Sequence, residues 1–315
     1  MMMKLFTIAA VCGNAYSFSQ TSLPTKKRPS LARKPPLSSA IGGMLDGPLA
    51  SSSSRLPDLV SSLRGGAVHV AAVQPADFAC ALVGVVGASL WLKIWTSLAS
   101  AGKIDPKLSR KIVHSGSAPL FLLTWPFFSD SLASRAVAAL VPLVFMARLV
   151  LARRGRQPEL VKAISRTGDS AEATGGPFTY CAVLIALTLS GGLRSAAGVV
   201  AVMQMAVGDG LADIVGRRVG KTKWPWSDGS KSVEGSLAFA LGAFVSSLAM
   251  VQWFALLGTP LAGLEAFQGC FLGLVWRLGV ISVACAAVEL LPIGDDNLNV
   301  PVTGALLTHF LTSGL

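Results

Sequence analysis

Residues 196–223 read AAGVVAVMQMAVGDGLADIVGRRVGKTK, a mostly apolar run that acquires two aspartates, Asp209 and Asp213, before ending in a basic loop. The run from Ala196 to Val215 has the length that crosses roughly 30 Å of hydrocarbon as a helix. Spaced four apart, Asp209 and Asp213 fall on one helical face. A carboxylate at membrane depth costs on the order of 3 kcal/mol or more, so this face must look onto water, a cation or a basic partner, or pair structurally with a membrane arginine.

The surrounding sequence supports a membrane setting. Of 315 residues, 52% are hydrophobic and 14% charged, and the mean hydropathy is +0.60. Soluble domains carry roughly a quarter charged residues. The expected fold is an all-α polytopic transmembrane bundle of seven to eight spans, one membrane domain over residues 67–315. Eight apolar segments are read, near 76–99, 112–129, 132–151, 176–193, 196–215, 233–257, 270–292 and 300–314. The last is short and the second contains Pro119 and Pro126, so either can be kinked or partly re-entrant. Loops 100–111, 152–175 and 216–232 hold four, five and five Lys or Arg, while 129–135, 191–195 and 258–269 hold one, one and none. Short basic loops stay on the side from which insertion occurs. The 293–299 turn, with Asp295 and Asp296, then falls on the same basic face.

A net charge of +11 could suggest nucleic acid, but the basic residues sit in short loops between spans and no zinc-finger or RNP pattern accompanies them. No nucleic-acid partner is expected; the partner is the lipid bilayer. The five cysteines lack CxxC spacing and the three histidines are dispersed, so any metal must be held by oxygen. The amino terminus reads as targeting sequence. Residues 1–17 resemble a signal peptide, with Lys4 before a short apolar stretch. Ala15-Tyr16-Ser17-Phe18 resembles the cleavage site of bipartite plastid presequences in secondary algae. Residues 18–66, with seven Lys or Arg, two Asp and no Glu, have transit-peptide composition. The alternative is a disordered basic tail.

Four stretches on the basic side are candidates for chemistry. Asp209 and Asp213 suit magnesium, which takes one or two carboxylates together with phosphate oxygens and water. Arg217 and Lys221 follow them and can hold the remaining phosphate charge. Lys231 and Glu234 then stand where the sixth span begins, and a helix N-terminus favours phosphate. Glu234 can orient Lys231, ligate metal or act as a base, and all three roles stay open. Glu289 closes the seventh span ahead of Asp295, Asp296 and Asn297, which form either a polar turn or a metal-ligating triplet. Arg110, Lys111 and His114 enter the second span, the first two as anchors or phosphate ligands, and His114 as a packing residue or a site residue. Gly216 to Thr222 is one residue short of Walker A spacing, and the Gly229-Ser230-Lys231-Ser232 run lacks the glycine directly before lysine, so any nucleotide is bound without a P-loop.

These spaced motifs resemble the polyprenol kinase family, closest to the plastid phytol kinases and farnesol kinases, from about residue 105 to the end. The resemblance rests on Leu108-Ser109-Arg110-Lys111-Ile112-Val113-His114, Gly208 to Asp213 with Gly216-Arg217-Arg218, Lys231-Ser232 with Gly235-Ser236, and Asp295-Asp296-Asn297 with Val300-Pro301. It implies transfer of the terminal phosphate of a nucleoside triphosphate, CTP in preference to ATP, to phytol or another isoprenoid alcohol, on the path to tocopherol. On that reading Asp209, Asp213 and Asp295 or Asp296 hold Mg2+, and Lys231, Arg217 and Lys221 neutralise the triphosphate. The arrangement is also similar to the phosphatidate cytidylyltransferases. That enzyme class, and a cation-coupled transporter using Asp209 and Asp213, are the alternatives.

Overall fold

The computed structural model describes residues 73–165, 169–190, 192–227, 229–259, 261–264, 270–292 and 294–312, all within one compact unit. The signal-like and transit-like segments 1–17 and 18–66 lie outside the described residues. The described chain is helical: α1 Pro75–Ser100, α2 Pro106–Leu122, α3 Leu132–Arg153, α4 Pro158–Ile164, α5 Gly176–Leu189, α6 Ala196–Met203, α7 Asp209–Val219, α8 Val233–Leu256, α9 Phe271–Glu289 and α10 Asp296–Thr312. Among the described residues the only β pairing is two isolated bridges.

Helix starts follow local chemistry. Asp105 caps α2 by accepting from the N–H groups of Lys107 (2.7 Å) and Leu108 (3.1 Å), with Pro106 at the first helical position. Ser131, Ser195 and Ser232 cap α3, α6 and α8 in the same way. The caps fix where each apolar run enters its helix.

Five helical stretches are long and apolar enough to cross a membrane: α1, α3, the continuous Ala196–Val219 stretch, α8 and α9. The other three expected spans form shorter helices, α2 with 17 residues, α5 with 14 and α10 with 17. The second expected span ends its α-helix at Leu122 and continues as a 3-10 turn at Trp125–Phe127, which contains Pro126. A proline has no N–H with which to continue the α-helical ladder.

The Ala196–Val219 stretch is the axis of the bundle. Its apolar window is 67% buried, against 17% for α1, and every residue of α6 is buried. It is packed by α2, α8 and α10. α1 instead exposes Phe78, Leu82, Val83, Val86, Leu90 and Ile94, the apolar surface that a lipid-facing helix presents. At its start, buried Asp77 accepts from Ser129 N–H (2.8 Å), the Ser129 hydroxyl (2.6 Å) and the Ser134 hydroxyl (3.0 Å), joining α1 to α3.

Two features set the height and angle of α7. Residues Gln204–Gly208 form one π-helical turn between α6 and α7, and such turns gather at functional sites. Gln204 is buried there and donates to Ser247 (3.2 Å) and Ser282 (3.1 Å) on α8 and α9. Beyond it α2 crosses so closely that a Cβ added at Gly210 would stand 1.7 Å from Ser115 Oγ. Small residues at helix crossings allow this approach.

Gly210→Val is expected to push α2 off α7 and lower stability by about 1–3 kcal/mol. Gly87→Ala, where nothing lies within 4 Å, is the matched control. Thermal unfolding in detergent should show a clearly lower midpoint for the first variant alone.

Candidate active site at the basic end of the bundle

The residues gathered here come from five places in the chain. The close α2–α7 crossing sets Lys111 and His114 against Asp209: Lys111 Nζ donates to Asp209 Oδ2 at 3.1 Å, and His114 Nε2 lies 3.2 Å from the same oxygen. The His114 ring leans on Tyr180 of α5 with centroids 4.6 Å apart, and the Tyr180 hydroxyl donates to the His114 carbonyl at 2.9 Å. Lys111 and Asp209 side chains are only 13% and 17% exposed, so the pair holds its charges largely away from water.

Lys231 arrives from the loop between α7 and α8. That loop folds back on itself through a Lys223–Ser232 bridge, Val233 N–H to Thr222 O (2.9 Å) and Trp224 N–H to Lys231 O (3.2 Å). The Lys231 ammonium donates to Glu289 at the end of α9 and to Asp296 Oδ2 (3.2 Å) at the start of α10. Burial works against the Lys231 charge, but the two carboxylates outweigh it and hold the ammonium above the ordinary lysine range. One carboxylate oxygen each of Asp209, Glu289 and Asp296 lies within 4.8 Å of the others. This oxygen-rich set fits a hard divalent cation such as magnesium.

The other sequence candidates are placed around this cluster. Asp295 accepts from the backbone N–H and side-chain amide of Asn297, both at 3.0 Å, and so shapes the first turn of α10. Asp213 pairs with Arg217 one turn along α7, at 2.7 Å, outside the three-carboxylate group. The Glu234 carboxylate accepts from Thr222 N–H (3.1 Å) and so fastens the folded loop, while Lys231 takes Glu289 and Asp296 as partners. Tyr180 and Gln204 were not singled out by sequence. A lone tyrosine or glutamine in an apolar run has no distinguishing pattern, and their roles follow only from what packs beside them.

A cavity of about 490 Å³ opens directly onto the cluster. Its polar end is formed by Arg110, Lys111, His114, Asp209 and Asp295 to Asn297. Its remaining wall is mostly apolar, with Ser117 and Tyr180 among it, and comes from α1, α2, α3, α4 and α5. The volume lies within the ~300–1,000 Å³ of small-molecule pockets. The side chain of Asn297 presents a buried Oδ1 with no hydrogen-bond partner among the described residues.

A probable phytol kinase 1, chloroplastic, of Oryza sativa subsp. japonica is 35% identical over 240 residues, covering 75% of this chain and 74% of that protein. Phytol kinase 1, chloroplastic, of Arabidopsis thaliana is 34% identical, covering 74% of this chain and 76% of its own. Farnesol kinase, chloroplastic, of the same plant is 35% identical over 70% of each chain. No family model matches the chain, and no solved structure matches it. With the apolar helices and the charged cluster, these similarities define a plastid membrane enzyme of the alcohol-phosphorylating class. The chain belongs to the phytol kinase and farnesol kinase family.

Replacing Lys231 with Met leaves Glu289 buried beside Asp296 without its cation. A loss of about 2 kcal/mol is expected, less than for a fully buried pair because Lys231 is partly exposed. Adding Glu289→Gln should recover part of it. A double-mutant cycle on detergent-solubilised protein would show no coupling if the pair is unimportant.

Proposed function

We propose that the protein transfers the terminal phosphate of CTP to the hydroxyl of phytol or a related isoprenoid alcohol, in the recycling of phytol towards tocopherol. The observation that carries this reading is the joining of the Asp209–Glu289–Asp296 group and its two lysines to an apolar cavity at Asp209. One end suits a metal-bound triphosphate and the other a hydrocarbon chain. In the step, the alcohol oxygen bonds to the terminal phosphorus, the bond from that phosphorus to the bridging oxygen breaks, CDP leaves, and the hydroxyl proton passes to water or a nearby base.

Asp209, Glu289 and Asp296 would hold magnesium, with Asp295 beside them. The ion supplies charge neutralisation across the phosphate oxygens, the main demand of phosphoryl transfer. Three carboxylates and two lysines meet there. Lys111 and Lys231 are already seated on those carboxylates, and exchange of partners would present them to phosphate. Arg110 at the cavity mouth and Arg217 and Lys221 beyond it extend the positive surface. The unpartnered Asn297 Oδ1 offers an acceptor for the alcohol hydroxyl. In the same reading α2, α5 and α10 complete an eight-helix bundle whose basic loops share one side, and the amino-terminal segment directs the chain to the plastid.

Purified protein in detergent with labelled CTP, magnesium and farnesol, geranylgeraniol or phytol should yield a labelled lipid monophosphate and CDP, and chelation should stop it. Release of pyrophosphate would instead indicate cytidylyl transfer, and no labelled product from any alcohol would end the kinase reading. Asp209→Asn is expected to reduce turnover by about 100-fold or more, as when a group stabilising transition-state charge is removed. Asp213→Asn is the informative comparison. An equal loss would mean that Asp213 joins the metal when nucleotide binds, and near-normal turnover would leave it as the partner of Arg217.

A further inference from the structure

The apolar part of the cavity has a definite direction and a closed end. Three of the helices that wall it give its depth. On α2 the lining residues run from Lys111 and His114 through Ser117 to Phe121. On α3 they run from Leu149 back to Val141, and on α5 from Tyr180 to Leu184. At about 1.5 Å per residue, His114 to Phe121 and Leu149 to Val141 span roughly 10 and 12 Å. The polar cluster stands at one end of that run and Phe121 and Val141 at the other.

What lies behind Phe121 and Val141 makes this end solid. Both are buried, with 3% and 2% of their surface exposed. α1 passes behind them at Gly84, where an added Cβ would stand 3.2 Å from Val141 Cγ2 and 3.7 Å from Phe121 Cδ2. Phe121 is also held edge-on to Trp125, centroids 5.7 Å apart, and Trp125 is itself fully buried. A close-packed interior does not yield to one more methylene without strain.

We propose that Phe121 and Val141 form the floor of the acceptor pocket and set which isoprenoid chain lengths the enzyme phosphorylates, with Ala88 of α1 fixing the width above them. This rests on the kinase reading given above. The alcohol hydroxyl sits at the His114–Asp209–Asn297 end, and the hydrocarbon tail runs between α2, α3 and α5 towards the floor. A larger floor residue shortens the longest acceptor, and a smaller one lengthens it. None of the three residues touches the charged cluster, so changes there act on acceptor choice and leave nucleotide handling intact.

The test is the ratio of kcat/KM for geranylgeraniol, with twenty carbons, to that for farnesol, with fifteen, measured on the full-length protein. Val141→Phe should lower the ratio by about tenfold or more, since one or two methylenes in an apolar pocket discriminate by roughly 10–200-fold. Phe121→Ala should raise it, and Ala88→Leu, one turn along α1 from Gly84, should lower it. KM for CTP should stay within about twofold of the parent in all three, as expected for a residue that makes no contact with the nucleotide. An unchanged ratio in variants that still turn over farnesol would overturn the proposal and leave the kinase reading standing. If the parent phosphorylates neither of these alcohols nor phytol, it is the kinase reading that fails. Should Val141→Phe not fold, Ala88→Leu and Phe121→Ala still decide the matter, because their predicted shifts have opposite signs.

Discussion

Carboxylates enclosed in an apolar bundle need compensation, and much of this structure is arranged to supply it. Moving an ion out of water costs several kcal/mol even after relaxation, recovered only by a well-placed partner. Asp209 is 80 residues from Glu289 and 87 from Asp296 in sequence, yet one carboxylate oxygen of each lies within 4.8 Å of the others. Each is reached by a lysine delivered from elsewhere, Lys111 on α2 and Lys231 on the loop before α8. The positions of four helices and one loop are therefore coupled through a handful of charges.

The scaffold that holds those charges is made of small and neutral groups. Gly210 lets α2 lie against α7 closely enough for Lys111 and His114 to reach Asp209. The π turn at Gln204–Gly208 rotates everything after it relative to α6, and Gln204 is anchored to Ser247 and Ser282 on the neighbouring helices. An extra residue in a helical turn changes the direction of every later side chain, so this anchor fixes where Asp209 points. The Glu234–Thr222 contact does the same for the loop carrying Lys231.

Much of this was legible in the sequence, and the part that was not has a physical reason. Helix positions followed from the apolar runs, because hydropathy is a local signal. The convergence of Asp209, Lys231 and the acidic turn followed from counting basic loops, because topology places alternate loops on one face. Pairings did not follow. Spacing by four puts Asp213 on one face with Asp209, yet Arg217 lies a further four residues along and takes Asp213 as partner. Glu234 was the carboxylate expected to orient Lys231, to ligate metal or to act as a base. Only the folded-back loop shows that Glu234 is occupied by a backbone N–H while Glu289 faces the lysine. The Asp77–Ser129–Ser134 tie was invisible, since its members are 52 and 57 residues apart.

The contrast between the two aspartates of α7 shows how depth assigns work to identical side chains. They are four residues apart, about 6 Å along the axis. Asp213 sits beside a half-exposed arginine, where solvent screens the pair and its contribution is small. Asp209 sits where the apolar cavity meets the charged cluster, with little water to share its charge. A substrate that is hydrocarbon for most of its length and polar only at its tip has one place at which both parts are satisfied together, and that is such a boundary. The helix that carries Asp209 must then be both the most buried in the bundle and the one that brings a charge to it. The Ala196–Val219 stretch meets both demands by changing from wholly buried to amphipathic across a single π turn.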